Sequence, residues 1–436
     1  MSTAALLIRG GHLVDPAQGI DAPMDLLIEE GRVSHVGKIL KANGADLLDA
    51  KGKIVTPGFI DLHVHLRSPG QEHKETIASG CRAAIRGGFT TICTMANTDP
   101  AVDSRPVVEY VKAAATREGL VNLLPYGAVT MGLKGETLTE MGDLQKAGVV
   151  GFSDDGAAIM NAGVMRRALE YTRMTGLPVI AHCEEKNLSG GGIVHEGLTA
   201  MRLGLAGIPS EAETVMLARD ILLARSTGGR LHIAHVSTAT GVQLIRAAKA
   251  QGIRVTAEVT PHHLVLTEEA LNTYDARFKM NPPLRTPSDV EALRQGLKDG
   301  TLDVVATDHA PHSKAEKEVD LTQAPFGVVG LETAAGVLLT ELVHRGFMPL
   351  SGLIAALTER PAKLLGIDRG SLRKGSPADV TLLDPQTDWT VEAHSFASKG
   401  VNSPFLGWRL KGQVTDVFLS GKPVFRNGQF INGESA

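Results

Sequence analysis

The stretch GFIDLHVHLR (58–67) sets the reading of the whole chain. Its apolar run is strand-like and ends in His63, His65 and Arg67. Side chains along a strand alternate with a period of two, so the two imidazoles belong on one face, with Arg67 next along it. An apolar strand that delivers polar groups at its C-terminal end is how a parallel α/β fold builds a site.

Seven more apolar runs follow: FTTICTMA (89–96), VNLLPYGAV (121–129), VVGFSD (149–154), LPVIAHC (177–183), RLHIAHV (230–236), IRVTAEV (253–259) and LDVVATD (302–308). Helical stretches lie between them. SRPVVEYVKAAATREG (104–119) offers Ser104 as N-cap, Pro106 in the first turn and Gly119 as stop. NAGVMRRALEYTRMTG (161–176), SEAETVMLARDILLARSTGG (210–229) and SDVEALRQGLKDG (288–300) follow the same grammar. Eight strands with helix-length crossovers is the count that closes a parallel barrel. An open doubly wound sheet would carry a G-x-G-x-x-G turn after a strand, and none occurs. The expectation is an α/β fold: a (β/α)8 TIM-like barrel over residues 58–367, ending in the helical LSGLIAALTERPAKLLGI (350–367). Residues 1–57 and 368–436 read as strands broken by tight turns, expected to pair into one small β-sandwich domain.

Composition narrows the function. The 436 residues carry 44 Lys+Arg against 48 Asp+Glu, a net charge of −4, with 43% apolar residues. Neither a basic excess nor a charge block is present, which argues against nucleic acid as partner. No apolar run reaches the roughly 18–20 residues of a membrane span. Cys81, Cys93 and Cys183 are too few and odd in number for a disulfide framework, and fit a reducing cytoplasm.

The strand ends carry the chemistry. Besides His63 and His65, strand four ends in Asp154-Asp155, strand five in His182, strand six in His235 and strand eight in Asp308-His309. Each alone reads most simply as a structural residue or a turn. Together, five of eight strands deliver His or Asp to one rim, a donor set suited to zinc and to a carboxylate-bridged metal pair. Alternation forbids Asp154 and Asp155 from both facing inward and leaves open which one does.

These motifs, together with AHC (181–183), HIAHVSTATG (232–241), NPPLR (281–285), TDHAPH (307–312) and APFGVVGLET (324–333), resemble the cyclic-amidohydrolase branch of the amidohydrolase superfamily. The chain is most similar there to the long-chain bacterial dihydroorotase family, over about residues 5–428. The resemblance implies two Zn2+ per chain, with His63 and His65 on one, His182 and His235 on the other, and Asp308 on the first metal acting as base. It implies Asp155 as the bridge, because GVVGFSDDG (148–156) lacks the lysine that many relatives carbamylate there. Arg67, Asn97, Asn281, His312, Phe326 and Gly327 would contact the substrate. His73, His195, His262, His263 and His309 are left as structural residues or as supports behind the ligands. The implied activity is reversible cyclisation of N-carbamoyl-L-aspartate to L-dihydroorotate, in pyrimidine synthesis. Its partners would be that small molecule, a second copy in a homodimer, and an aspartate transcarbamoylase. The rivals are a hydantoinase- or allantoinase-like amidase and a catalytically dead scaffold; the full ligand set argues against the second.

Overall fold

A computed structural model describes residues 5–42 and 44–431. Residues 1–4, 43 and 432–436, which the expected end domain includes, lie outside the described residues. The eight apolar runs form parallel strands: Phe59–Val64, Phe89–Thr94, Asn122–Pro125, Phe152–Ser153, Val179–Ala181, Leu231–Ile233, Val255–Val259 and Val304–Val305. The first three pair with one another, as do the last five. Single parallel bridges, Gly127 to Phe152 and Val64 to His309, join the two groups on both sides. The ring closes, and the expected barrel is present.

Ile60, Leu62, Cys93, Met95, Tyr126, Ile180, Ala234, Val304 and Ala306, from six of the strands and their ends, pack in one buried cluster. Ala362, Leu364 and Leu365 of the helix Glu359–Leu365 join that cluster. Alternate residues such as Phe89, Phe152, Val179, Ile233 and Val305 belong to a second cluster shared with the surrounding helices. The helices start and stop on their local signals. Arg105–Glu118 runs between Ser104, which occupies the cap position but makes no side-chain cap bond, and a left-handed Gly119. Ala162–Thr175 begins where the Asn161 side chain accepts the Gly163 and Val164 N–H groups. Pro287–Lys298 starts one residue earlier than the sequence suggests, because Thr286 and Asp289 form a reciprocal cap. The single helical stretch expected over 350–367 is two helices, Leu350–Leu357 and Glu359–Leu365. Pro361 explains the break at Thr358, since its ring would clash with the carbonyl of Leu357 and it offers no N–H.

The two ends of the chain share a nine-stranded sheet. Ile54–Pro57 pairs in parallel with Leu6–Asp15 on one side and antiparallel with Val380–Thr390 on the other, Pro57 opposite Val380 and Ile54 opposite Leu383. Leu6, Ile8, Leu13, Leu26 and Ile28 from one end pack with Leu372, Val380, Leu382 and Phe418 from the other. Between Val380–Thr390 and Arg409–Leu419 the chain leaves this sheet and returns to the barrel rim. No helix among the described residues is long and apolar enough to cross a membrane.

Candidate active site

Strand one places its histidines by an irregularity rather than by simple alternation. Leu62 belongs to the interior cluster and Val64 to the outer one. A register shift between Asp61 and Val64 then brings His63 inward as well. In strand four, Ser153 faces inward, its hydroxyl on the Ile180 carbonyl at 3.0 Å. Asp155 shares that side and Asp154 faces away. The Asp154 carboxylate accepts the Val129 and Thr130 N–H groups at 2.7 and 3.1 Å. Asp155 stands among the imidazoles, 3.5 Å from His63, 3.4 Å from His65, 3.4 Å from His182 and 3.3 Å from His235.

Two sets of ligand atoms converge, His63–His65–Asp308 and His63–Asp155–His235, each within 4.8 Å. His65 Nε2 lies 3.1 Å from Asp308 Oδ1, and His182 Nδ1 lies 3.0 Å from His235 Nε2. His63 Nε2 is buried without a hydrogen-bond partner, 3.4 Å from Asp308. A buried nitrogen aimed between two carboxylates, bonded to neither, fits a cation between them. Arg67, His235 and Asp308 all have positive φ, at 59°, 29° and 48°. Such backbone costs about 1–3 kcal/mol per residue and persists where its surroundings over-determine it.

Carboxylates behind the histidines fix their rings. Glu258, on strand seven, accepts from His63 Nδ1 at 2.6 Å, His232 Nε2 at 3.0 Å and the His235 N–H at 3.2 Å. That leaves His63 Nε2 free to face the centre. Glu184 does the same for His182, bonding Nε2 at 3.0 Å while Nδ1 faces Asp155. Orienting contacts of this kind set which nitrogen can bind a metal. Burial works against charge on His63, but Asp155, Glu258 and Asp308 outweigh it and lift its pKa well above the usual imidazole value. Burial also opposes ionisation of Asp155 and Asp308, yet the surrounding imidazoles hold both below the carboxylate range. The two ionised carboxylates give the centre the negative charge a cation site needs, and a bound cation would take the place of the proton on His63.

A cavity of about 430 Å³ opens over this cluster, lined by Arg67, Asn97, Asn281, His312, Phe326 and Gly327, all six expected substrate contacts. Arg67 Nε donates to the Pro311 carbonyl at 3.2 Å. Among the described residues no carboxylate oxygen lies within 4.0 Å of the Arg67 guanidinium. Asn97 is turned partly to the metal ligands, with Oδ1 2.9 Å from His65 Nδ1. Asn281 donates to Glu184 at 3.0 Å. His312 Nε2 lies 2.8 Å from the Phe326 carbonyl, and its Nδ1 is buried without a partner.

Three of the histidines left outside the ligand set are engaged elsewhere: His195 with Arg285, His263 with Thr260 and Pro282, and His309 with Glu75. His73 is largely exposed. His262 is buried with Nε2 unpartnered, and burial pulls its pKa down to about 4. Glu258, Glu184 and Glu75 were missed by sequence reasoning. Glu258 had a signal: an acidic residue inside the apolar strand IRVTAEV.

A closed barrel whose strand ends converge four imidazoles and two carboxylates beneath a polar cavity defines an amidohydrolase-class enzyme. Comparisons narrow the class. A profile of the dihydro-orotase-like family matches residues 52–240. A dihydroorotase from Pelotomaculum thermopropionicum is 54% identical over 97% of this chain and 99% of its own. One from Geobacter metallireducens is 50% identical over the same shares. Among solved structures, an L-hydantoinase (dihydropyrimidinase) from Arthrobacter aurescens superposes with a TM-score of 0.89 at 27% identity, covering 98% of each chain. A dihydropyrimidinase from Brevibacillus agri gives 0.84 at 25%, over 98% of this chain and 96% of that one. The chain belongs to the dihydroorotase family.

Proposed function

We propose that this chain interconverts L-dihydroorotate and N-carbamoyl-L-aspartate, by hydrolysis of the ring amide in one direction and loss of water in the other, as the third step of pyrimidine synthesis. The single observation that carries the reading is Arg67: a guanidinium on the cavity wall beside the cluster, with no carboxylate of the described residues within 4.0 Å. A planar fork so placed suits a ring carboxylate, which hydantoin and dihydrouracil lack. The identity to dihydroorotases, twice that to the hydantoinase structure, supports the same choice.

His63, His65 and Asp308 would hold one divalent cation, and His182 and His235 a second, with Asp155 between them. Two zinc ions there supply, when bound, the acidity that ionises water near neutral pH and polarises an amide carbonyl. Arg67 and Asn97 hold the ring carboxylate and so fix which amide bond faces Asp308. Asp308 takes the proton of the attacking water and delivers it to the departing ring nitrogen, base first and acid second. In ring closure it runs the reverse course. His312, Asn281 and the Phe326–Gly327 backbone complete the wall around the ring.

Residues 58–367 form the catalytic unit in this reading, and 1–57 with 368–436 its composite partner. The three cysteines are free and buried, which supports a reducing cytoplasm as the site of action. Further partners would be a second copy and an aspartate transcarbamoylase, read by solution mass with and without that enzyme. The test of function is turnover by the purified protein: dihydroorotate should far exceed dihydrouracil and hydantoin in kcat/KM. Preference for a neutral ring overturns the assignment in favour of a cyclic amidase, and no turnover of any ring favours a scaffold.

A further inference from the structure

Asn402 lies far from every barrel strand in sequence, in the stretch that leaves the end sheet and returns to the rim. It is 4% exposed, and its side chain is spent on three backbone groups of the cavity wall. Oδ1 accepts the His312 N–H at 3.1 Å. Nδ2 donates to the Ala310 carbonyl at 3.3 Å and to the Gly327 carbonyl at 3.0 Å. Its own carbonyl accepts the Val329 N–H at 3.2 Å. The groups it grips belong to two separate loops, 310–312 after strand eight and 326–329 beyond it. Both loops carry cavity-lining residues: Ala310 and His312 on the first, Phe326 and Gly327 on the second. Pro311, between two of the gripped residues, also takes the hydrogen bond from Arg67 Nε. The backbone alongside is fitted to that grip: a Cβ at Gly400 would fall 2.6 Å from Pro311 Cβ.

We infer that Asn402 is the positioning residue of the substrate wall: it holds His312 and the Phe326–Gly327 backbone at a fixed separation, and through Pro311 fixes the seat of Arg67. The inference rests on the function proposed above. An amide is suited to this task because it accepts from one loop and donates to the other through one rigid plane. Asn402 touches neither the metal ligands nor Asp308. Its loss therefore loosens ground-state and transition-state binding together and leaves the proton transfer in place, which predicts an effect on KM with kcat held.

The test compares Asn402→Ala, Asn402→Asp and Phe418→Leu with the unsubstituted protein, reading kcat, KM, metal content and melting temperature. Phe418 packs in the buried cluster of the end sheet with Leu13, Leu26 and Val380, so its truncation destabilises without touching the wall. Asn402→Ala should raise KM at least about tenfold with kcat within about threefold and metal content unchanged, the scale of a weakened hydrogen bond to a charged group. Phe418→Leu should lower the melting temperature but leave KM alone. Asn402→Asp is isosteric, keeps the acceptor for His312 and sets an oxygen against the Ala310 and Gly327 carbonyls. It should also raise KM, and it carries the test if the alanine variant does not fold. Wild-type KM in Asn402→Asp, a fall in kcat at constant KM, or an equal KM rise in Phe418→Leu would each overturn the inference. If the unsubstituted protein prefers a neutral ring, the functional reading fails, and the same comparison on that ring still judges Asn402.

Discussion

Asp154 and Asp155 are neighbours of identical chemistry with opposite tasks. Asp155→Ala removes a carboxylate that lies within 3.5 Å of all four histidines, so metal content should fall steeply by elemental analysis. Asp154→Ala strands two N–H groups and should cost about 1–3 kcal/mol of stability, with metal content near that of the unsubstituted protein. Equal metal loss in both variants would refute the bridge. Asp308→Asn keeps the shape and deletes the proton carrier. A positioned base contributes about 10²–10⁴-fold, so a variant retaining more than about a tenth of kcat would contradict its role. Arg67→Met keeps aliphatic bulk and removes the fork. Loss of one side of a buried charge pair costs roughly 2–5 kcal/mol, so kcat/KM for dihydroorotate should drop about 30-fold or more. The low rate on dihydrouracil should barely change; an equal drop on both rings would remove the carboxylate assignment. The residues of this rim were readable because barrel strands end on one face. Glu184 and Asn402 were not, since nothing local distinguishes them from ordinary loop residues.

Elements whose ends carry their own signals were the most legible. Thr286 caps the helix Pro287–Lys298 through the Asp289 N–H, and Asp289 returns the bond. Thr286→Ala should therefore destabilise the protein by about 0.5–2 kcal/mol in denaturant unfolding, and a change near zero would mean the cap is idle. Strand one was harder. Period two placed His63 on the right side, but the register shift before Val64 is what delivers it there, and no side-chain pattern announces a bulge of this kind. The return of residues 393–406 to the rim was equally hidden, because its partners Ala310 and Gly327 lie 92 and 75 residues away.

At the scale of the molecule, the centre joins strands one, four, five, six and eight around one set of charges. Cations that bind only the folded state stabilise it by about 4 kcal/mol at a thousand times their dissociation constant. Thorough chelation should lower the melting temperature by at least about 5 °C, using about 2–4 °C per kcal/mol as an upper guide, and added zinc should restore it. A melting temperature indifferent to chelator would exclude a structural share for the metals. The barrel was legible as a count of eight runs, and the end sheet as strand-turn grammar. Which strand joins the two ends was not, because pairing partners so distant leave no mark on either segment.

That join has a consequence for synthesis of the chain. Ile54–Pro57 waits for Val380–Leu383, and about 320 residues separate them. At about 5–20 residues per second, a ribosome takes roughly 15–65 s to deliver the missing neighbour. Throughout that interval one side of the strand presents unpaired N–H and C=O groups, beside a barrel that is itself still being made. The growing chain is most open to pairing with another nascent copy during this window. The strand that completes the sheet is also the one that ends the exposure.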